Sequence, residues 1–141
     1  MGAISVTLHG NAIAGLNELL RKAGSLTEPL DEIGAFLDAD VLTRFTKEQA
    51  PDGTKWIQSD AARDEGRLTL TDKRHLADSV SHEAVGNQLI HGLGEDYAAI
   101  HHFGGKTGRN HAVTLPARPI LGVEQEHEDE INAIIGDFLL G

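Results

Sequence analysis

The 141-residue chain has no cysteine, which excludes disulfides and thiolate metal sites and, with them, a secreted scaffold held by cross-links. A reducing cytoplasm suits such a composition. Basic residues are also short, 12 Lys and Arg against 22 Asp and Glu, for a formal net charge of -10. Indiscriminate nucleic-acid binding rests on many cationic contacts to phosphates, so this balance argues against it. Long apolar runs are missing too. The opening residues MGAISVTLHG carry neither a basic region nor an apolar stretch of signal-peptide or membrane-span length. The expectation is a soluble protein that touches no membrane. At this length one domain is expected, able to bury about two-thirds of its unfolded surface.

A local absence is more informative. Residues 97–122, YAAIHHFGGKTGRNHAVTLPARPILG, contain no carboxylate at all. They open on an apolar helical turn of Tyr97, Ile100 and Phe103, which Gly104 and Gly105 are suited to end. The polar, basic stretch GGKTGRNH follows, and then Pro116-Ala117-Arg118-Pro119, whose prolines push Leu115 and Arg118 toward extended geometry. The plan is short helix, mobile basic loop over 104–111, rigid extended segment. Arg118 is the last Lys or Arg of the chain, and beyond it come Glu124, Glu126, Glu128, Asp129, Glu130 and Asp137. These acids are read either as a solvated helix face or as the complement of a neighbouring subunit's basic loop.

Along the chain, Ile4, Val6 and Leu8 alternate as in a half-buried strand. Ile13, Leu16, Leu19 and Leu20 then give helical spacing over 11–23, stopped by Gly24. A helix start at Ser25 to Pro29 leads into Leu30, Ile33, Phe36, Leu37, Val41, Leu42 and Phe45, a helix of roughly 19 residues and about 28 Å. Gly34 inside it predicts a close crossing. Pro51-Asp52-Gly53 predicts a turn, and Trp56 is read as either a cap over the long helix or an interface anchor. Residues 58–74 read as a mobile surface excursion with one helical turn. A helical turn near Leu76, strands at 79–84 and 89–92 and a tight turn at Gly86-Asn87 come next. That hairpin is expected to pair with the first strand and with Val113 to Leu115. Ile131, Ile134, Ile135, Phe138 and Leu139 stripe a closing helix whose acids cluster in its first turns, where the helix dipole favours them. The fold class is α+β: a small, mostly antiparallel sheet against two or three helices.

Tyr97-Ala-Ala-Ile-His-His-Phe-Gly-Gly105 followed by Pro116-Ala-Arg-Pro-Ile-Leu-Gly122 resembles the pattern of the phage virion morphogenesis or tail-completion family of tailed phages and Mu-like prophages. Pro51 to Trp56 and Leu76 to Val80 add to the resemblance, and together the four marks cover roughly the last 90 residues. Two departures stand out: His102 replaces a usual glutamine, and Ile120 a usual phenylalanine. The resemblance implies a structural protein of virion assembly, a tail terminator or neck component at the tail or head–tail junction. It implies a homo-oligomeric ring, a hexamer by family analogy, that meets tail-tube or head–tail connector proteins. It also implies a location in the virion, with the host cytoplasm as the place of assembly.

Chemistry finds little footing. Eight histidines supply no HExxH and no pair at i and i+4, and His101-His102 point about 100 degrees apart on a helix. Gly104-Gly105-Lys106-Thr107-Gly108 holds P-loop residue types in the wrong order. No catalytic residue, metal or cofactor is therefore assigned, and sequence-specific nucleic-acid binding is not expected. The predicted interface is Tyr97, His102, Phe103, Lys106, Arg109 and Arg118, with Trp56. Two other classes stay open. One is a non-virion assembly chaperone or binding module. The other is a small hydrolase using His101, His102 or His111 beside a carboxylate.

Overall fold

The computed structural model describes residues 3–9, 15–70 and 74–140. It is an α+β fold. Strand β1 (Ile4–His9) is followed by helix α1 (Leu16–Ala23), and α2 (Thr27–Lys47) forms the 21-residue spine. Short helices α3 (Asp60–Glu65) and α4 (His75–Asp78) precede the hairpin β2 (Val80–Val85) and β3 (Gln88–Leu93). After it come α5 (Ala98–Phe103), β4 (Gly105–Thr107), a 3-10 turn (Arg109–His111), β5 (Val113–Leu115) and α6 (Gln125–Leu140).

β3 is the middle strand, antiparallel to β1 on one side and to β2 on the other. The alternation seen in the sequence gives the sheet its two faces. Ile4, Val6, Leu8, Leu89, His91 and Leu93 point toward the helices, while Ser5, Thr7, Ser81 and Glu83 point outward. The expected third partner, Val113 to Leu115, does not join this sheet. It pairs with β4 instead, as Gly105↔Leu115, Lys106↔Thr114 and Thr107↔Val113. The reason is local: the 3-10 turn at Arg109–His111 reverses the chain, so the nearest unpaired backbone is the strand just left behind.

Helix α2 serves two apolar clusters at once. Leu30, Ile33 and Leu37 pack with Leu19, Leu26, Leu89, Ile131, Ile134 and Ile135. One to two turns further on, Val41 and Phe45 pack with Trp56, Leu76, Leu93, Ala98, Ile120 and Leu121. A helix buried against a sheet on one flank and against α6 on another cannot carry a single narrow stripe, and α2 accordingly shows apolar residues around much of its circumference. The predicted turn is present: Gly53 N–H reaches Ala50 O at 2.9 Å, and Asp52 accepts from Thr54 N–H at 2.9 Å. The excursion expected over 58–74, of which 71–73 lie outside the described residues, is only partly superficial in the remainder. Ser59 caps α3, and Ala62 and Thr69 are fully buried, Thr69 Oγ1 accepting from Ser59 N–H. The predicted first helix is seen from Leu16; its expected start, with Ile13, lies outside the described residues.

Gly34 marks the close crossing that its position in α2 suggested. A Cβ there would lie 2.3 Å from His82 Cδ2, so the imidazole of β2 rests directly on the helix backbone. Alanine in a helix interior gains up to about 1 kcal/mol over glycine, whereas overpacking costs about 1–3 kcal/mol. Because the His82 ring is held by two carboxylates, overpacking is expected to win. Gly34→Ala should therefore lower unfolding free energy, by up to about 2 kcal/mol once the helix gain is subtracted, in urea titrations; an increase would mean that the crossing is looser than described.

Candidate assembly surface

The prolines and glycines of 97–122 build two pieces of opposite character. Residues 116–123 form an extended strap buried against α2 and Trp56, and residues 105–115 form a hairpin that carries the basic side chains outward. The strap has no strand beside it, so side chains must satisfy its peptide groups. Arg44, from α2, donates to the carbonyls of Ile120 and Gly122 (Nη2 to Gly122 O, 3.2 Å) and pairs with Asp40. Trp56 Nε1 donates to Pro119 O at 2.8 Å, its indole set edge-on to Phe45 with centroids 5.5 Å apart. His102 Nδ1 accepts from the N–H groups of Ile120 and Leu121, at 3.1 and 3.4 Å. An accepting Nδ1 must be unprotonated, and burial, with the nearby Arg44 charge, lowers the His102 pKa in the required direction. At the junction of the two pieces Gly104 has φ +73, and a Cβ would lie 2.6 Å from Ala117 N, so only glycine fits.

Three residues expected at an interface thus face the subunit's own interior: Trp56 (6 % exposed), Arg118 (4 %) and His102. For Trp56 this is the cap reading, and for His102 the donors it meets are backbone amides. Arg118 donates from Nε to Ile57 O at 2.7 Å. The other four face outward. Phe103 is 69 % exposed and Tyr97 39 %, and Lys106 and Arg109 stand on the hairpin with no side-chain hydrogen bond or ion pair among the described residues. Val113, 49 % exposed, adds an apolar contact on β5. The stretch 104–111 is a paired hairpin with a 3-10 tip, where the sequence had suggested only a loop.

On α6 the apolar stripe points inward through Ile131, Ile134 and Ile135, leaving Glu126, Glu128, Asp129, Glu130 and Asp137 exposed, as is Glu124 just before the helix. No ion pair involves these acids among the described residues. His127, buried among them, has its tautomer set by its neighbours. Nδ1 accepts from Glu124 N–H at 2.7 Å, so the proton sits on Nε2 and points to Asp40 at 3.0 Å.

Sequence reasoning did not find the histidine pair that ties sheet to helix. His82 donates from Nδ1 to Asp38 at 2.6 Å and from Nε2 to Asp31 at 2.9 Å, while the other Asp38 oxygen takes His91 Nδ1–H at 2.9 Å. The spacing Asp31 to Asp38, two turns of α2, was the available signal. Burial opposes the His82 charge, but the hydrogen bonds to Asp38 and Asp31 outweigh it and raise the pKa. Burial lowers that of His91, which stays neutral with Asp38 partly offsetting the effect. Among the described residues no group of three or more His, Asp or Glu side chains is arranged to hold a metal. A cleft of about 390 Å³ beside the hairpin base is lined by His101, His75 and Arg118. No Asp or Glu belongs to its described lining, so the hydrolase reading lacks the carboxylate it needs there.

The residues of 97–122 therefore build a projecting basic element on a small α+β body, with an acidic helix on the same subunit. The chain belongs to the phage virion morphogenesis family, which matches residues 11–139. It is similar to two Haemophilus influenzae proteins. Against the Mu-like prophage FluMu G protein 2 it is 44 % identical over 69 residues, 49 % of this chain and 50 % of the relative. Against the Mu-like prophage FluMu G protein 1 it is 34 % identical over 100 residues, 64 % of each. The chain thus spans about half the length of the first relative and under two-thirds of the second. No solved structure matches it at a significant level. Membership gives it a role in phage assembly and an assembly-related or virion-associated location, and points to a structural rather than an enzymatic part.

The two histidines predict opposite pH dependences. His82, with its pKa raised, contributes stability that is complete below the unfolded value of about 6.5 and is lost as pH rises through the folded value. His91, with its pKa lowered, contributes stability present above about 6.5 and lost as pH falls through its folded value. Asp38→Asn should cost about 1–3 kcal/mol near pH 6 and remove most of the loss on the alkaline side. Urea unfolding across pH 5–8 reads both effects, and a variant whose stability runs parallel to the parent would contradict the assignment.

Proposed function

We propose that the chain is a ring-forming subunit acting in tail completion or head–tail joining, as tail terminator or neck component. The observation that carries this reading is the pairing of two exposed surfaces left unneutralised within one subunit. Lys106 and Arg109 project from the hairpin, and five exposed carboxylates stand on α6, with Glu124 just ahead of it. Two different patches that complement each other make a head-to-tail contact, and a head-to-tail contact that closes makes a ring. Complementary charge fixes the register of such a contact and selects the partner, while exposed Phe103, Tyr97 and Val113 supply apolar area beside it. The family's part in virion morphogenesis supports the setting, and the ring is taken to be a hexamer. Tail-tube or head–tail connector proteins are the partners along the ring axis. The hairpin tip at 108–112 orders against its neighbour, as exposed interface loops often do.

Reversing both hairpin charges, Lys106→Glu with Arg109→Glu, should leave the subunit folded with an unchanged melting temperature, yet abolish tail joining in a complementation assay. Adding Glu126→Lys and Glu128→Lys should restore assembly at least in part. Infectious particles at normal titre from the first variant would contradict the proposal. Absence of the chain from purified virions would favour an assembly factor that leaves before completion.

A further inference from the structure

Two buried arginines make an instructive contrast. Arg44 and Arg118 are 5 % and 4 % exposed, and burial lowers the pKa of each. Arg44 is compensated by Asp40 and by carbonyls of the strap. Arg118 has one bond, from Nε to the Ile57 carbonyl, and among the described residues no carboxylate partner; its two terminal amino groups, with no protein acceptor, are not fully enclosed and open to the cleft. A largely buried guanidinium with no anion beside it is costly, and such groups are normally paired.

The same cleft holds a second unsatisfied group. His101 Nδ1 is buried with no hydrogen-bond partner, the only such side-chain atom among the described residues. The ring stands edge-on to Tyr97, with centroids 5.9 Å apart. Burial first, and then the Arg118 charge, lowers the His101 pKa, so the ring is neutral and its Nδ1 can carry a proton to donate. Arg67, His75 and Leu115 complete the wall, and Glu65 already engages Arg67 outside the described lining. The cleft therefore offers a bidentate cation and a neutral donor, in a space of about 390 Å³ that is open on one side.

We propose that this cleft is a receptor for a carboxylate side chain on α6 of a second copy of the chain, one oxygen accepting from the terminal amino groups of Arg118 and the other from His101 Nδ1 after the ring, whose Nδ1 is enclosed in the lone subunit, turns about its Cβ–Cγ bond to face the cleft. The occupant follows from charge and place. Leu115, the last residue of β5, lines the cleft, so the site is continuous with the basic hairpin. The exposed α6 acids are the anions that the subunit itself leaves unpaired. A nucleic-acid phosphate is disfavoured by the net charge of -10. The inference rests on the ring reading and adds an anchor to it, since a charge pair removed from water holds a complex more firmly than one at its rim.

The test uses the full chain. His101→Leu removes an unsatisfied buried polar atom, so its melting temperature should equal or exceed the parent's, whereas sedimentation velocity should show self-association weakened about tenfold or more. In parallel, acetate is titrated against chloride at matched ionic strength while the His101 ring nitrogens are followed by NMR under dilute, dissociating conditions. A saturable shift with acetate, absent with chloride, is expected. Unchanged association of His101→Leu, or no acetate response, overturns the site while leaving the hairpin contact standing. A chain that is monomeric at every concentration overturns both this occupant and the ring reading. A response to inorganic phosphate but not acetate overturns the carboxylate in favour of a nucleic-acid backbone.

Discussion

The side chain of Arg44 holds the strap 116–123 to the body, and the placing of the hairpin depends on that hold. An extended segment lying on a helix, with no strand alongside, leaves amides and carbonyls that water cannot reach. Each unpaired group would cost about 1–3 kcal/mol. Arg44 covers two of the carbonyls, Trp56 a third, and His102 takes two amides. The arrangement works only if His102 is neutral and Arg44 charged, and the Arg44 charge itself helps to keep His102 neutral. Asp40, one turn earlier on α2, then balances Arg44 and in turn meets His127 of α6, so that α2, the strap and α6 are fixed relative to one another by one connected polar group.

That fixation explains a division of labour in a stretch with no carboxylate. Inward residues of 97–122 are donors and acceptors matched to backbone. Outward residues are cations and apolar groups with nothing on their own subunit to meet. Placing a carboxylate in the strap would put a second anion beside Asp40 and compete for Arg44. Placing one on the hairpin would cancel the charge that α6 of a neighbouring copy could read. Both constraints exclude the same residue types, for different reasons, and membership in a virion morphogenesis family gives the second constraint its setting.

Much of the fold was legible because local pattern and tertiary role coincide. Alternation in Ile4, Val6 and Leu8 set the sheet's inner face, Gly34 announced the crossing that His82 makes, and Pro51-Asp52-Gly53 formed the turn its residues favour. The pairing of β5 was misjudged because apolar spacing cannot tell which strand edge is nearer; the 3-10 reversal at Arg109–His111 decided it. The surface was legible in part. Of the residues predicted for an interface, Lys106, Arg109, Tyr97 and Phe103 are exposed, whereas Arg118 and His102 turn inward, since their partners are backbone groups to which composition gives no clue. The link of His82 and His91 through Asp38 was hidden for the same reason: its members lie far apart in sequence, and only the register of β2 against β3 brings the two rings side by side.

Amide hydrogen exchange at two protein concentrations, one dilute and one high enough for assembly, tests the central claim most directly. If the strap is pinned within the subunit and the hairpin is offered to a neighbour, the amides of Arg118, Ile120 and Leu121 are protected at both concentrations. Those of 108–112 exchange freely when dilute and slow when concentrated. Rapid exchange along the strap in the dilute sample, or hairpin protection that does not change with concentration, would contradict the account.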